Sequence, residues 1–193
     1  VMQYLKYKGE FLSRNNTVCS VEIYREATAA YALIGKLQFP SDEPVVIEWA
    51  HSDKEKSLCG SVADVTIISP GDRTYEDLYT ITPGDITLKI YRNGSLYWSG
   101  TLDPEFYEEP YSSGAEYEVT LTFSDFGILN RMKYNMEGMQ SMQDIMNDAL
   151  QRAKLGHCSP VRQYISTCMK GNATPVTLSD LSLRADNFYD EDG

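Results

Sequence analysis

Alternation of apolar and polar positions organises the first two thirds of the chain. Over residues 17–24 the side chains fall alternately on two sides of an extended backbone, which is typical of a half-buried strand. One side carries Cys19, Val21 and Ile23. The asparagine pair at 15–16 favours a turn, so residues 4–12 are predicted to be the hairpin partner of this strand.

Three further segments are predicted to be strands. They cover residues 32–39, 45–50 and 62–69. Residues 40–44, which begin and end with proline, and the charged residues 51–56 separate them and are predicted to be loops.

The clearest local signal is a hairpin over residues 86–100. Two alternating runs flank Asn93-Gly94, and these two residue types tolerate the positive φ angles of a type I′ turn. A last strand is predicted at 117–123, where Val119, Leu121 and Phe123 alternate with polar residues. Its polar face is expected to be solvated.

The periodicity changes after residue 127. From Ser141, apolar residues recur every three or four positions, which predicts an amphipathic helix that runs to about residue 154 and stops at Gly156. Ser141 and Asp144 form a capping box at its start. The apolar stripe is Met142, Ile145, Met146, Ala149, Leu150 and Ala153. A short strand is predicted at 163–168, and residues 178–183 are apolar at wide spacing.

These elements predict a mainly β (α+β) fold, with antiparallel barrel-like or sandwich-like β structure followed by one short amphipathic helix. Residues 1–135 are expected to form the β-rich region, either as one unit or as two subdomains. Residues 136–193 are expected to hold the helix and the start of a further domain, truncated at its end. The acidic residues 186–193 support that truncation, because they end without a cap or a closing strand.

Composition narrows the possible functions. The chain has 193 residues, and its 28 acidic against 17 basic residues give a formal net charge of −11. This balance disfavours binding to nucleic acid or to an anionic membrane surface. No run approaches the ~18 apolar residues of a membrane span, which argues against a transmembrane protein. The 14 tyrosines beside 6 phenylalanines favour a β-rich protein with much contact surface.

Candidate catalytic and metal-binding residues are few. His51 and His157 are the two histidines, and neither belongs to a known nucleophile motif. His157, Cys158 and Cys168 supply three potential ligands, whereas structural zinc needs four. We therefore expect no enzymatic activity, no catalytic residue, no cofactor and no metal site.

Other residue patterns carry weaker signals. Cys19, Cys59, Cys158 and Cys168 lie at wide, irregular spacings, which favours reduced thiols over disulfides. The acidic end fails as an EF-hand loop because Phe188 falls at its first ligand position. Three glycosylation sequons begin at Asn15, Asn93 and Asn172, but residues 1–10 lack the apolar core of a signal peptide.

One acidic and aromatic cluster suggests a second function. In residues 103–111 carboxylates alternate with aromatic side chains, as they do in sugar-binding clefts. With Trp49 and Trp98 this cluster could form a sugar platform. A carbohydrate-binding or carbohydrate-active β protein is therefore the alternative hypothesis.

The order of elements also resembles a known family. The hairpin ends in Leu96-Tyr97-Trp98-Ser99-Gly100-Thr101-Leu102, and the next strand ends in Phe123-Ser124-Asp125-Phe126-Gly127-Ile128-Leu129. An amphipathic helix over residues 142–150 follows. This order, over about residues 30–156, is similar to the N-terminal part of tail hub and tail-tip (baseplate) proteins of bacteriophages and prophages.

That resemblance implies a structural role with no catalytic residues in this part of the chain. It implies β domains that form a homo-oligomeric ring at the distal end of the tail tube. It also implies contacts with other tail proteins, such as tube, spike or fibre, and a location in the virion tail after assembly in the bacterial cytoplasm. No sequence-specific nucleic-acid contact and no membrane insertion are expected.

Overall fold

The computed structural model describes residues 2–49, 60–71, 73–103, 116–128, 138–152 and 180–184. Within them 53% of residues lie in strands and 13% in helices, which confirms a mainly β fold with one short α-helix. The strands are β1 (Met2–Leu12), β2 (Val18–Ala27), β3 (Gly35–Lys36), β4 (Val45–Trp49), β5 (Ser61–Ser69), β6 (Ile86–Arg92), β7 (Ser95–Leu102), β8 (Tyr117–Ser124), β9 (Met139–Ser141) and β10 (Ser182–Arg184). The helices are a 3-10 turn (Glu76–Leu78) and α1 (Met142–Arg152).

Eight strands form one sheet in the order β3-β1-β2-β6-β7-β8-β5-β4. Neighbouring strands are antiparallel, except for the parallel pair β1 and β3. Strands β9 and β10 pair separately as a two-stranded antiparallel sheet.

The segment after β3 joins the two ends of the large sheet. The amide of Leu37 donates to the carbonyl of Lys8 on β1 (2.9 Å), and the carbonyl of the adjacent Gln38 accepts from the amide of Ile68 on β5 (2.8 Å). A third bond runs from the amide of Thr66 to the carbonyl of Pro44 (2.9 Å). One short segment therefore closes the sheet into a barrel-like shape.

This closure corrects the strand predicted at 32–39. Only Gly35–Lys36 form a strand, and Leu33 and Ile34 are exposed outside the sheet. The reason is geometric: the backbone forms a hydrogen bond with β1 at Leu37 and with β5 at Gln38, so it does not continue along a single neighbouring strand. Apolar periodicity does not reveal such a crossing.

The core of the barrel is one continuous apolar cluster with contributions from β1, β2, β5, β6, β7 and β8. On β2 the buried side is Cys19, Val21 and Ile23, as the alternation predicts. On β8 Val119, Leu121 and Phe123 are fully buried, while Glu118 and Thr120 are exposed, which confirms the solvated polar face.

The turn between β6 and β7 confirms the predicted hairpin. Asn93 (φ 48°) and Gly94 (φ 78°) both have positive φ angles, as a type I′ turn requires. Two hydrogen bonds tie this turn to β2, from the Asn93 amide to the Val18 carbonyl (2.9 Å) and from the Val18 amide to Asn93 Oδ1 (3.3 Å).

The helix begins where its cap predicts. The amide of Asp144 donates to Ser141 Oγ (3.1 Å), and that hydroxyl donates to the Asp144 carboxylate (2.6 Å). Ile145 is buried and the other described residues of the apolar stripe are half-buried. The predicted helix end at 153–156, the strand at 163–168 and the domain boundary at 135 lie outside the described residues, whereas residues 182–184 form β10.

Candidate functional site

The two segments that carry the family resemblance meet at one junction of the barrel. The end of β7 pairs with the end of β8, with Thr101 opposite Ser124 and Leu102 opposite Phe123. A Cβ atom on Gly100 would lie 2.7 Å from the carbonyl oxygen of Ser124 and would also overlap the Trp98 ring. The absence of a side chain at Gly100 therefore permits this approach of the two strands.

A buried hydrogen-bond network fixes the turn after β8. The Asp125 carboxylate, 9% exposed, accepts from the Ser61 amide (2.9 Å), the Ser61 hydroxyl (2.7 Å) and the Phe126 amide (2.8 Å). Trp98 Nε1 donates to the same Ser61 hydroxyl (2.8 Å). We call Trp98, Gly100, Ser61 and Asp125 the junction. All its polar groups named here are paired, which is typical of a structural network.

A small pocket lies beside the junction. It is lined by Pro83, Gly84, Leu102, Asp103, Ser124 and Gly127, among others, and encloses about 10 Å³. That volume is what a single water molecule requires, so the pocket does not suit a substrate of the size of a sugar.

The structure separates the residues of the predicted sugar platform. Trp98 is 5% exposed and belongs to the core, so its ring face does not reach the surface. Trp49 is 47% exposed at the end of β4. Asp103 is half-buried beside the pocket, and the rest of the 103–111 cluster lies outside the described residues. Sequence reasoning missed the burial of Trp98 because five consecutive residues of β7, Trp98 to Leu102, are buried and break the alternation.

Polar side chains hold the loop between β5 and β6 in place. Asp77 in the 3-10 turn accepts from the Tyr7 hydroxyl (2.7 Å) and pairs with Lys6 Nζ (2.9 Å). Its backbone carbonyl accepts from the Arg25 guanidinium (2.5 Å), which also pairs with Asp85 (3.3 Å). The Asp77 cluster therefore ties the loop between β5 and β6 to β1 and β2.

Aromatic packing completes this cluster. The Tyr7 and Tyr75 rings meet edge to face, with centroids 5.4 Å apart, and Lys6 Nζ lies 4.3 Å from the centroid of the Tyr31 ring. Burial and the hydrogen bond to Asp77 raise the pKa of Tyr7, and burial raises the pKa of Tyr75. Both hydroxyls stay protonated at neutral pH and serve as donors.

Several large apolar side chains near the residues of the Asp77 cluster in sequence are exposed. They are Met2, Leu33, Ile34, Tyr79 and Ile81, and Leu33 (87%) and Ile81 (80%) are the most exposed of them. We call this set the loop end. Sequence reasoning did not single it out, although apolar residues in a loop flanked by Pro-Gly pairs at 70–71 and 83–84 are a usable signal.

One face of the outer surface carries three lysines, and Glu22 and Glu10 lie beside the middle one, Lys8. Strand register places Lys36, Lys8, Glu22 and Lys89 in one outward row across β3, β1, β2 and β6. Lys8 Nζ lies 3.3 Å from the Glu22 carboxylate, and Lys89 Nζ lies 4.5 Å from the centroid of the Tyr24 ring. The hydrogen bond to Glu22 raises the pKa of Lys8, so that side chain stays charged at neutral pH. We call these four residues and Tyr24 the cationic face.

The face formed by β4, β5 and β8 is acidic. Its outward charged side chains are Glu48, Asp64 and Glu118, and these three strands contain no lysine or arginine. Asp64 accepts a hydrogen bond from Thr122 (2.6 Å). Val46 and Val62 share this face and are each 38% exposed. We call these three acids and two valines the acidic face.

Few of the cysteines, histidines and motifs named in the sequence analysis lie among the described residues. Cys19 is buried and free. No group of three or more potential metal ligands occurs within the described ranges. His51, His157, Cys59, Cys158, Cys168, the Asn172 sequon and the acidic end lie outside them. No helix among the described residues is long and apolar enough to cross a membrane.

Comparisons with protein-family models, with curated proteins and with solved structures find no match for this chain.

Proposed function

We propose that this chain is a structural component of a phage or prophage tail tip or baseplate hub and acts through protein contacts, without catalysis. The support comes from the junction. The two segments of the family resemblance come no closer in sequence than Leu102 and Phe123, which are 21 positions apart, yet these two residues pair directly and Gly100 admits the Ser124 backbone.

The junction gives the resembling residues a physical role. Gly100 admits the Ser124 backbone, and Asp125 fixes the turn through Ser61 and Trp98. Residues that hold two strands together and have their polar groups paired suit an assembly scaffold better than a reactive centre. This convergence is the observation that carries the proposal.

The surface of the barrel is compatible with assembly. The loop end exposes several large apolar side chains, which offer apolar area to a protein contact. The partners that follow from the proposal are further copies of the chain in a ring, and tail proteins such as tube, spike or fibre.

Antibody labelling of virus particles tests this proposal. Antibodies raised against the chain are applied to particles released from cells that carry its coding region, and gold-labelled antibody is located by negative-stain microscopy. The proposal predicts label at the distal end of the tail. Label on the capsid, or the protein found only outside particles, would overturn it.

A further inference from the structure

We infer that the acidic face of one copy of this chain docks on the cationic face of the next copy. This inference rests on the proposed function and names the surfaces through which copies of the hub component would meet. It commits to a second copy as the occupant of both faces, because their charges are complementary.

The positions of the two faces favour a head-to-tail contact. In the sheet order, β3, β1, β2 and β6 lie at one end and β8, β5 and β4 at the other, with β7 between β6 and β8. In the closed sheet β7 separates these two groups on one side, and the segment after β3 lies between them on the other. A contact between two unlike surfaces of one chain repeats from copy to copy, and it closes into a ring when the rotation allows.

Both faces keep exposed charges for a contact. On the cationic face Lys36 is exposed and Lys89 lies over the Tyr24 ring, while Lys8 is already paired with Glu22 and Glu10. On the acidic face Glu48 and Glu118 are exposed, and their strands supply no basic side chain. Opposite charges across a contact fix its register and exclude like-charged pairings.

Apolar and aromatic groups on both faces supply contact area. Val46 and Val62 lie beside the acids on one face, and Tyr24 lies beside Lys89 on the other. Interfaces commonly combine such groups with a polar, charged rim. The two faces therefore offer both area and specificity.

Charge reversal on each face provides the test. The double variant Glu48→Lys/Glu118→Lys makes the acidic face basic, and Lys36→Glu/Lys89→Glu makes the cationic face acidic. Each variant alone then presents two faces of the same sign, so we expect its self-association to weaken at least about tenfold. In a 1:1 mixture every contact between the two different variants is complementary, so the mixture is expected to recover self-association by alternating them.

Two matched controls reverse charges outside the faces. Asp42→Lys lies in the turn before β4 and Arg14→Glu lies in the turn between β1 and β2, and both residues are exposed. They are expected to leave assembly unchanged. Sedimentation velocity measures assembly, and circular dichroism melting confirms that every variant is folded.

The outcomes separate this inference from the proposed function. Loss of assembly in each double variant and recovery in the mixture support the inference. Double variants that assemble like the unmodified chain, or an unmodified chain that stays monomeric, would overturn it. Neither of these results changes where antibody labels the particle, so the proposed function is decided separately.

Discussion

A single carboxylate, Asp125, shows how one residue fixes a turn. It is buried and accepts three hydrogen bonds, two from backbone amides and one from the Ser61 hydroxyl. Buried donors that lose their acceptor keep their full desolvation cost. The position is therefore sensitive to the removal of the side chain.

We expect Asp125→Ala to lower the free energy of unfolding by about 3 kcal/mol, because three donors lose their acceptor. Asp125→Asn keeps one acceptor oxygen and is expected to cost about 1 kcal/mol. Urea unfolding of both variants measures the difference. Equal and small effects in the two variants would contradict this account of the junction.

Tyr7 couples stability to alkaline pH. Its pKa in the folded chain lies above the ordinary value of 10.0, because of burial and of the hydrogen bond to Asp77. The unfolded chain therefore releases this proton at lower pH than the folded chain does. The stabilisation is complete below about pH 10 and declines as pH rises through the pKa of the folded state.

Tyr7→Phe removes this titration. At neutral pH the variant is expected to be less stable by about 1 kcal/mol, because the hydrogen bond to Asp77 is lost. Above pH 10 its stability should fall less steeply than that of the unmodified chain, as measured by urea unfolding at several pH values. Parallel declines for both proteins would show that Tyr7 does not contribute to the alkaline loss.

At the scale of elements, the hairpin of β6 and β7 depends on its turn. Gly94 has a φ of 78°, a conformation that costs residues with a side chain about 1 kcal/mol or more. A Cβ atom on Gly94 would meet nothing within 4 Å, so the expected effect is purely conformational.

Gly94→Ala is therefore expected to lower the midpoint of thermal unfolding and to cost about 1 kcal/mol. Gly71→Ala is the matched control, since Gly71 lies outside the left-handed region and its added Cβ would make an ordinary 3.7 Å contact with Thr74. The control should change stability little. A loss of the same size at both positions would contradict the turn argument.

Local signals in the sequence predict several of these elements. The Asn-Gly turn, the alternation of β2 and β8 and the Ser141 cap depend on neighbouring residues, so they can be recognised from the sequence. The closure after β3 cannot, because it depends on hydrogen bonds from Leu37 and Gln38 to strands on two sides.

The candidate surfaces are harder to predict from the sequence. The Asp77 cluster joins Tyr7 to a residue 70 positions away, and no local pattern marks that pair. Trp98 looked like a surface aromatic, but the indole lies in the core and donates to Ser61. The two charged faces appear only when the strand register is known.

At the scale of the whole molecule, charge is distributed unevenly over the barrel. The chain has a net charge of −11, yet Lys36, Lys8 and Lys89 lie together on one face. Strands β4, β5 and β8 carry acidic residues and contain no lysine or arginine. Contacts between exposed charges weaken with salt, since the screening length shortens from about 10 Å at 0.1 M to about 3 Å at 1 M. Assembly through these faces should therefore depend on ionic strength.

Sedimentation velocity of the unmodified chain at two salt concentrations tests the central claim, that copies of this barrel assemble through their charged faces, most directly. At about 0.05 M salt we predict a discrete oligomer, and at about 0.5 M salt we predict its dissociation toward monomer. A single monomeric species at both salt concentrations, at protein concentrations well above micromolar, would contradict the claim.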